Sequence, residues 1–170
     1  MVSYTAHFSR YNADGLLLAL DGDAKSEKQS YLQVFKDGRL EYGDSNLMNS
    51  KFQDEIPGAL LEEAIVRTFG SAMDLLQILG VSEPFFVSLT LVGVKGKKMA
   101  LPSHPSYLAF PQLGKFDRDV IVFPDVRVEK VGEGSPYPTT LLPIVNSMWQ
   151  AAGLQQSPYI SSDGNWNVCP

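Results

Sequence analysis

The stretch Gly93-Val94-Lys95-Gly96-Lys97-Lys98 is where this chain gathers groups able to hold an anion. Lysine ammonium groups, together with the N–H groups of a glycine turn, form the concavities that bind phosphate oxygens. That chemistry would make Lys95, Lys97 and Lys98 ligands for a nucleotide or another phosphorylated molecule. The spacing is not that of a P-loop, which needs a second glycine followed by Lys-Ser/Thr and a helix. A solvated turn between two strands accounts for the same residues.

Other reactive types are scattered. His7 and His104 are far apart and fall in no zinc-binding spacing, so no metal is expected. Glu62 and Glu63 are neighbours, which on a helix turns them about 100° apart. They cannot flank a bond as acid and base, and both are expected on a solvated helix face. No G-x-S-x-G elbow occurs. Cys169, next to the chain end, lacks surroundings that would lower a thiol pKa. Trp149 and Trp166 could form a stacking platform, or serve as core and tail anchors. Tyr107 and Phe110 lie in a proline-rich stretch and are candidates for a ligand groove or a subunit contact, with ordinary loop packing as the alternative. No catalytic residue, metal or cofactor is assigned.

Hydrophobic periodicity supplies the elements that would carry these residues. Gly15–Leu20 and Tyr31–Phe35 read as strands around a polar loop from Asp21 to Ser30. Asp37-Gly38 predicts a two-residue hairpin turn that pairs Phe35 with Leu40 and Gln33 with Tyr42. From Pro57 to Leu79 the period becomes helical, with Leu61, Ile65, Phe69, Ala72, Leu76 and Leu79 as the apolar stripe. Glu63 and Arg67 form a favourable i,i+4 pair, and Gly80 ends the helix.

Phe85–Val94 alternates two uncharged faces, as an interior strand does. Met99–Leu101, Val120–Phe123 and Val126–Glu129 are further strands. A last helix spans Thr140–Ala152, with Leu141, Val145, Met148 and Ala152 inward. Thr139 or Thr140 would cap it, Pro143 would sit in its first turn and Gly153 would end it. The expected architecture is α+β: a mainly antiparallel sheet of about five to seven strands with two principal helices, an order that resembles profilin-like sensor folds. Residues 1–153 are expected to form one domain, with 154–170 as an irregular tail packed on it.

Composition narrows the function. Of 170 residues, 44% are hydrophobic, enough for a core, and the formal net charge is −5. Duplex binders neutralise phosphates with Lys and Arg, so this segment is not expected to grip nucleic acid alone. No apolar run reaches the roughly 18–20 residues that span a bilayer. A single cysteine suits the reducing cytoplasm, where the protein is expected to reside.

Several segments, taken in order, carry a family resemblance. They are Arg10–Gly15, Ser30–Glu41, Leu79–Val81, Pro84–Gly96 and Asp117–Pro124, followed by Leu142-Pro143-Ile144, Met148–Gly153 and Ser161–Trp166. This set resembles the carboxyl-terminal region of prokaryotic proteins whose amino-terminal half is a Schlafen/AlbA-type DNA-binding domain. The family region ends in a Trp-Asn-containing helix, from which Trp149-Gln150 departs. The resemblance implies a non-enzymatic accessory domain that senses a small ligand or self-associates, with DNA contact delegated to the other half. Two alternatives stand beside it. One is an enzyme or phosphate-ligand binder using the lysine turn; the other is a structural domain that packs against a partner half through an exposed apolar patch.

Overall fold

The structure, a computed structural model, describes residues 8–19, 30–47, 54–101, 113–129, 137–161 and 165–166. It is α+β, with mostly antiparallel strands divided among several sheets and two helices. Four strands form an antiparallel meander: β1 (Phe8–Tyr11), β2 (Gly15–Ala19), β3 (Ser30–Phe35) and β4 (Leu40–Asp44). The greater part of the expected Asp21–Ser30 loop lies outside the described residues.

The β3–β4 hairpin forms, one residue out of the expected register. Val34 faces Leu40 and Leu32 faces Tyr42, where Phe35–Leu40 and Gln33–Tyr42 pairs were expected. The turn holds three residues, not two. Gly38 N–H donates to the Phe35 carbonyl at 3.1 Å and Phe35 N–H to the Arg39 carbonyl at 2.9 Å. Gly38 takes φ 87°, the left-handed position that ends a three-residue hairpin loop and that glycine enters at little cost. In this register Arg39 faces Phe35 and not Lys36, so two like charges are kept from lying opposite each other. Arg39 instead pairs with Asp37 at 2.8 Å and lies 4.6 Å above the Phe35 ring.

A short strand, β5 (Glu55–Pro57), runs directly into α1 (Gly58–Ile78). The helix ends as expected. Gly80 at φ 71° lets its N–H reach the Gln77 carbonyl and the Val81 N–H reach the Leu76 carbonyl, the double closure of a Schellman motif. The inward stripe is rotated from the expected one. Leu61, Phe69 and Leu76 are buried, but so are Glu62 and Met73, and Leu79 is exposed. Seven residues after the helix ends, the expected long strand is broken into β6 (Phe85–Val87) and β7 (Thr90–Val92).

These two strands pair with β10 (Val126–Val128) and β9 (Val120–Val122) respectively, and β8 (Lys98–Ala100) pairs in parallel with β5. The break is a bulge. Ser88 and Leu89 span the same gap as Phe123, Pro124 and Asp125, so the ladder shifts by one residue. A proline fits there because it has no N–H to give to a ladder. Phe123 N–H still bonds the Leu89 carbonyl at 3.0 Å, and Ser88 Oγ donates to Asp125. The two pieces therefore form one bent antiparallel ribbon. It is not interior: Phe85, Val87, Leu89 and Leu91 turn inward, while Phe86, Ser88, Thr90 and Val92 are exposed.

The last helix, α2, spans Tyr137–Ala151. Its expected stripe of Leu141, Val145, Met148 and Ala152 is buried, joined by Ile144 and Trp149. It starts before Thr139 and Thr140, so neither caps it, and Pro143 lies inside it beyond the first turn. Pro143 withholds one backbone bond there, on an exposed side of the helix where Ser147 Oγ bonds its carbonyl at 2.8 Å. Helix α2 packs on α1 and β10, and α1 packs on β5. The main core lies among these elements, the ribbon and residues 154–160.

Candidate functional site

The lysine turn is placed by β7 on one side and β8 on the other. Five of its six backbone amides are already used. Gly93 and Val94 donate to the Asp119 carbonyl, Gly96 to Phe116, Lys97 to Val94 and Lys98 to Asp54, at 2.8–3.3 Å. An anion nest needs such N–H groups free and convergent. The side chains do not offer a united charge either. Lys98 Nζ pairs with Glu55 at 2.8 Å, as the β5–β8 register places those two residues opposite each other. Lys95 is exposed and Lys97 half-buried. Tyr107 and Phe110 lie outside the described residues, as do His7, His104 and Cys169.

Trp149 and Trp166 do converge, on a residue expected elsewhere. Glu62 is 0% exposed, so it belongs to the interior and not to a solvated helix face. Its Oε2 accepts from Trp149 Nε1 at 2.8 Å, and both carboxylate oxygens lie within 2.9 Å of Ser157 Oγ. Trp166 turns its indole N–H toward the same carboxylate, short of hydrogen-bond geometry. Trp149 is fully buried and meets Tyr159 edge-on, with ring centroids 5.7 Å apart. The pair is thus no solvent-facing stacking platform.

Backbone geometry makes room for this cluster. A Cβ on Gly58 would lie 2.4 Å from the Trp149 ring and 3.1 Å from the Ala100 carbonyl. Only a residue without a side chain lets the ring pass over the start of α1 toward Glu62. Ser157 then holds the segment after α2. Its Oγ accepts the N–H groups of Tyr159 and Ile160, and its own N–H donates to Asn146 Oδ1.

Burial pushes the Glu62 carboxyl above its ordinary range, opposed by the Trp149, Ser157 and Trp166 donors. No cation shares the load from α2 or from residues 154–161, which contain no Lys or Arg. Chemically the cluster is closed. Ser157 Oγ gives its one proton to Glu62 and accepts two backbone N–H groups, which leaves it no capacity as a nucleophile. Glu62 has no surface through which to meet a substrate.

The most open feature is the ribbon. Among the described residues, four of the eight exposed large hydrophobic side chains lie on its outer face: Phe86 (68%), Val92 (61%), Val120 (49%) and Val122 (70%). Its two edges differ. The β9–β10 side carries Asp119, Pro124, Asp125 and Arg127, the charges and proline that normally guard a strand edge. From Phe85 to Val94 there is no charge at all. Among the described residues no strand pairs with the outer edge of β6 or β7.

No family model, curated protein or solved structure matches the chain. Among the described residues, no helix is long and apolar enough to cross a membrane.

Proposed function

We propose that this chain is a non-enzymatic accessory domain that works by self-association, in the setting that its resemblance to the region beside Schlafen/AlbA-type DNA-binding domains implies. The observation that carries the reading is the uncharged stretch Phe85–Val94, unpaired along one edge among the described residues and showing Phe86 and Val92 to water. Fully burying a side chain of this kind stabilises by about 1.5–3 kcal/mol, and roughly two-thirds of that is still available here. Two such residues on each of two copies supply on the order of 4–8 kcal/mol. Association costs about 4–15 kcal/mol in lost freedom, so backbone hydrogen bonds must add to the apolar gain.

The closed Glu62 cluster and the largely occupied amides of the lysine turn support the non-enzymatic part of the reading. Sedimentation velocity over a wide dilution series tests the whole. A concentration-dependent monomer–dimer equilibrium is expected; a single monomeric species at every concentration refutes the reading.

A further inference from the structure

We infer that two copies join edge to edge, with residues 85–92 of each running antiparallel about a two-fold axis at Leu89. This rests on the self-association proposed above and adds the surface and its register. Backbone direction allows it. Gly93 N–H bonds the Asp119 carbonyl and the Leu89 carbonyl accepts from Phe123, so Leu89, Leu91 and Gly93 direct their polar groups into the ribbon. By the alternation of an antiparallel ladder, Ser88, Thr90 and Val92 direct theirs outward.

A seam centred on Leu89 pairs Ser88 with Thr90 and Phe86 with Val92, the residues whose amides face out. The same register sets like against like in side chains. Ser88, whose hydroxyl proton goes to Asp125, lies opposite Thr90 and keeps only acceptor capacity toward it, the exposed Phe86 and Val92 shield each other at both ends, and Phe85 lies opposite Gly93. A strand that reads apolar to apolar and hydroxyl-bearing to hydroxyl-bearing about its own midpoint, with no charge to be buried, is complementary to itself, as an isologous two-fold contact requires. Nothing comparable exists on the β9–β10 edge, where the bulge at Pro124 interrupts the ladder.

The test uses the intact chain and two double variants at exposed positions. Phe86→Lys with Val92→Lys sets two ammonium groups opposite each other at both ends of the seam. Phe86→Glu with Val92→Lys sets opposite charges there. Sedimentation velocity should show a wild-type dimer, a loss of affinity of roughly ten- to a hundredfold in the double-lysine variant, and recovery in the mixed variant. Thr90→Lys, which intrudes at a separate seam position, should weaken the dimer as well and covers the case in which a double variant does not fold. A wild-type dimer unaffected by the double-lysine variant overturns the seam while leaving self-association on another surface. Loss without recovery in a folded mixed variant overturns the register. A monomeric wild type overturns both this pairing and the proposed function.

Discussion

Replacing Glu62 separates the two demands placed on its carboxylate, as a hydrogen-bond acceptor and as a buried charge. Glu62→Ala leaves the Trp149 N–H and the Ser157 O–H without the acceptor they reach at 2.8–2.9 Å. Each buried donor so orphaned costs about 1–3 kcal/mol, hence roughly 2–6 kcal/mol together. For a chain of this size the loss in Tm is on the order of 10 °C. Glu62→Gln keeps the volume and one acceptor oxygen and removes the charge.

The sign with pH follows from burial. Because the folded value is raised, the native state holds the Glu62 proton at pH values where the unfolded chain has released it. Wild-type stability from this group is complete below the ordinary value of 4.5 and is lost as pH rises through the folded value. The stability of Glu62→Gln relative to wild type should therefore rise across that window, by about 1.4 kcal/mol per pH unit, and level off above it. Comparing the two proteins cancels the other carboxylates, including Asp37, whose Arg39 contacts lower it.

Urea unfolding at a series of pH values, followed by tryptophan emission, gives the measurement. The protein has two tryptophans, Trp149 and Trp166, and both face Glu62, so the signal reports this cluster directly. Parallel pH profiles for wild type and Glu62→Gln would refute the assignment of Glu62 as a buried acid whose hydrogen bonds offset only part of its desolvation. A stable Glu62→Ala protein would refute its role as the acceptor that ties α1 to the segment after α2.

Four further outcomes are expected. Gly58→Ala drives a methyl to 2.4 Å from Trp149, and overpacking of this kind costs about 1–3 kcal/mol, read as a lower denaturation midpoint with tryptophan emission shifted. Tyr31 donates to Glu41 at 2.6 Å, and that bond, with burial and the nearby charge, pushes it up to about 12. In an ultraviolet difference titration the late-ionising signal should shrink by one tyrosine in Glu41→Gln, as Tyr31 returns toward the ordinary value of 10.0. Lys98→Ala should change stability by no more than about 1 kcal/mol, as its partly exposed pair with Glu55 is weak. Inorganic phosphate should raise the melting temperature of wild type and Lys98→Ala equally, by calorimetry, if the lysine turn is no anion site.

Local pattern carried much of the fold. The helix stops at Gly80 and Gly153, the fully buried stripe of α2, and the hairpin around Gly38 follow from residues close in sequence. What escaped it depended on distant partners. Strand β1, with exposed Ser9 and Arg10, exists because it pairs with β2, and the three-residue β5 exists because it pairs with β8 some forty residues away. Periodicity in Phe85–Val94 showed alternating faces, but not that one faces water, because two uncharged faces suit an edge ribbon as well as an interior strand. The hairpin register turned on one residue, since a two-residue and a three-residue loop both accept Asp-Gly.

For the candidate site, sequence alone determined that the chain has two tryptophans, no clustered histidines and an uncharged run from Phe85 to Val94. Tertiary structure decided the rest. Glu62 looks like its neighbour Glu63, yet Glu63 meets Arg67 on the partly exposed side of α1 while Glu62 is sealed among Trp149, Ser157 and Trp166. Those partners lie 87 residues or more along the chain. A charge near a helix start is placed by the helix, but whether it meets water depends on what the remainder of the chain lays over it.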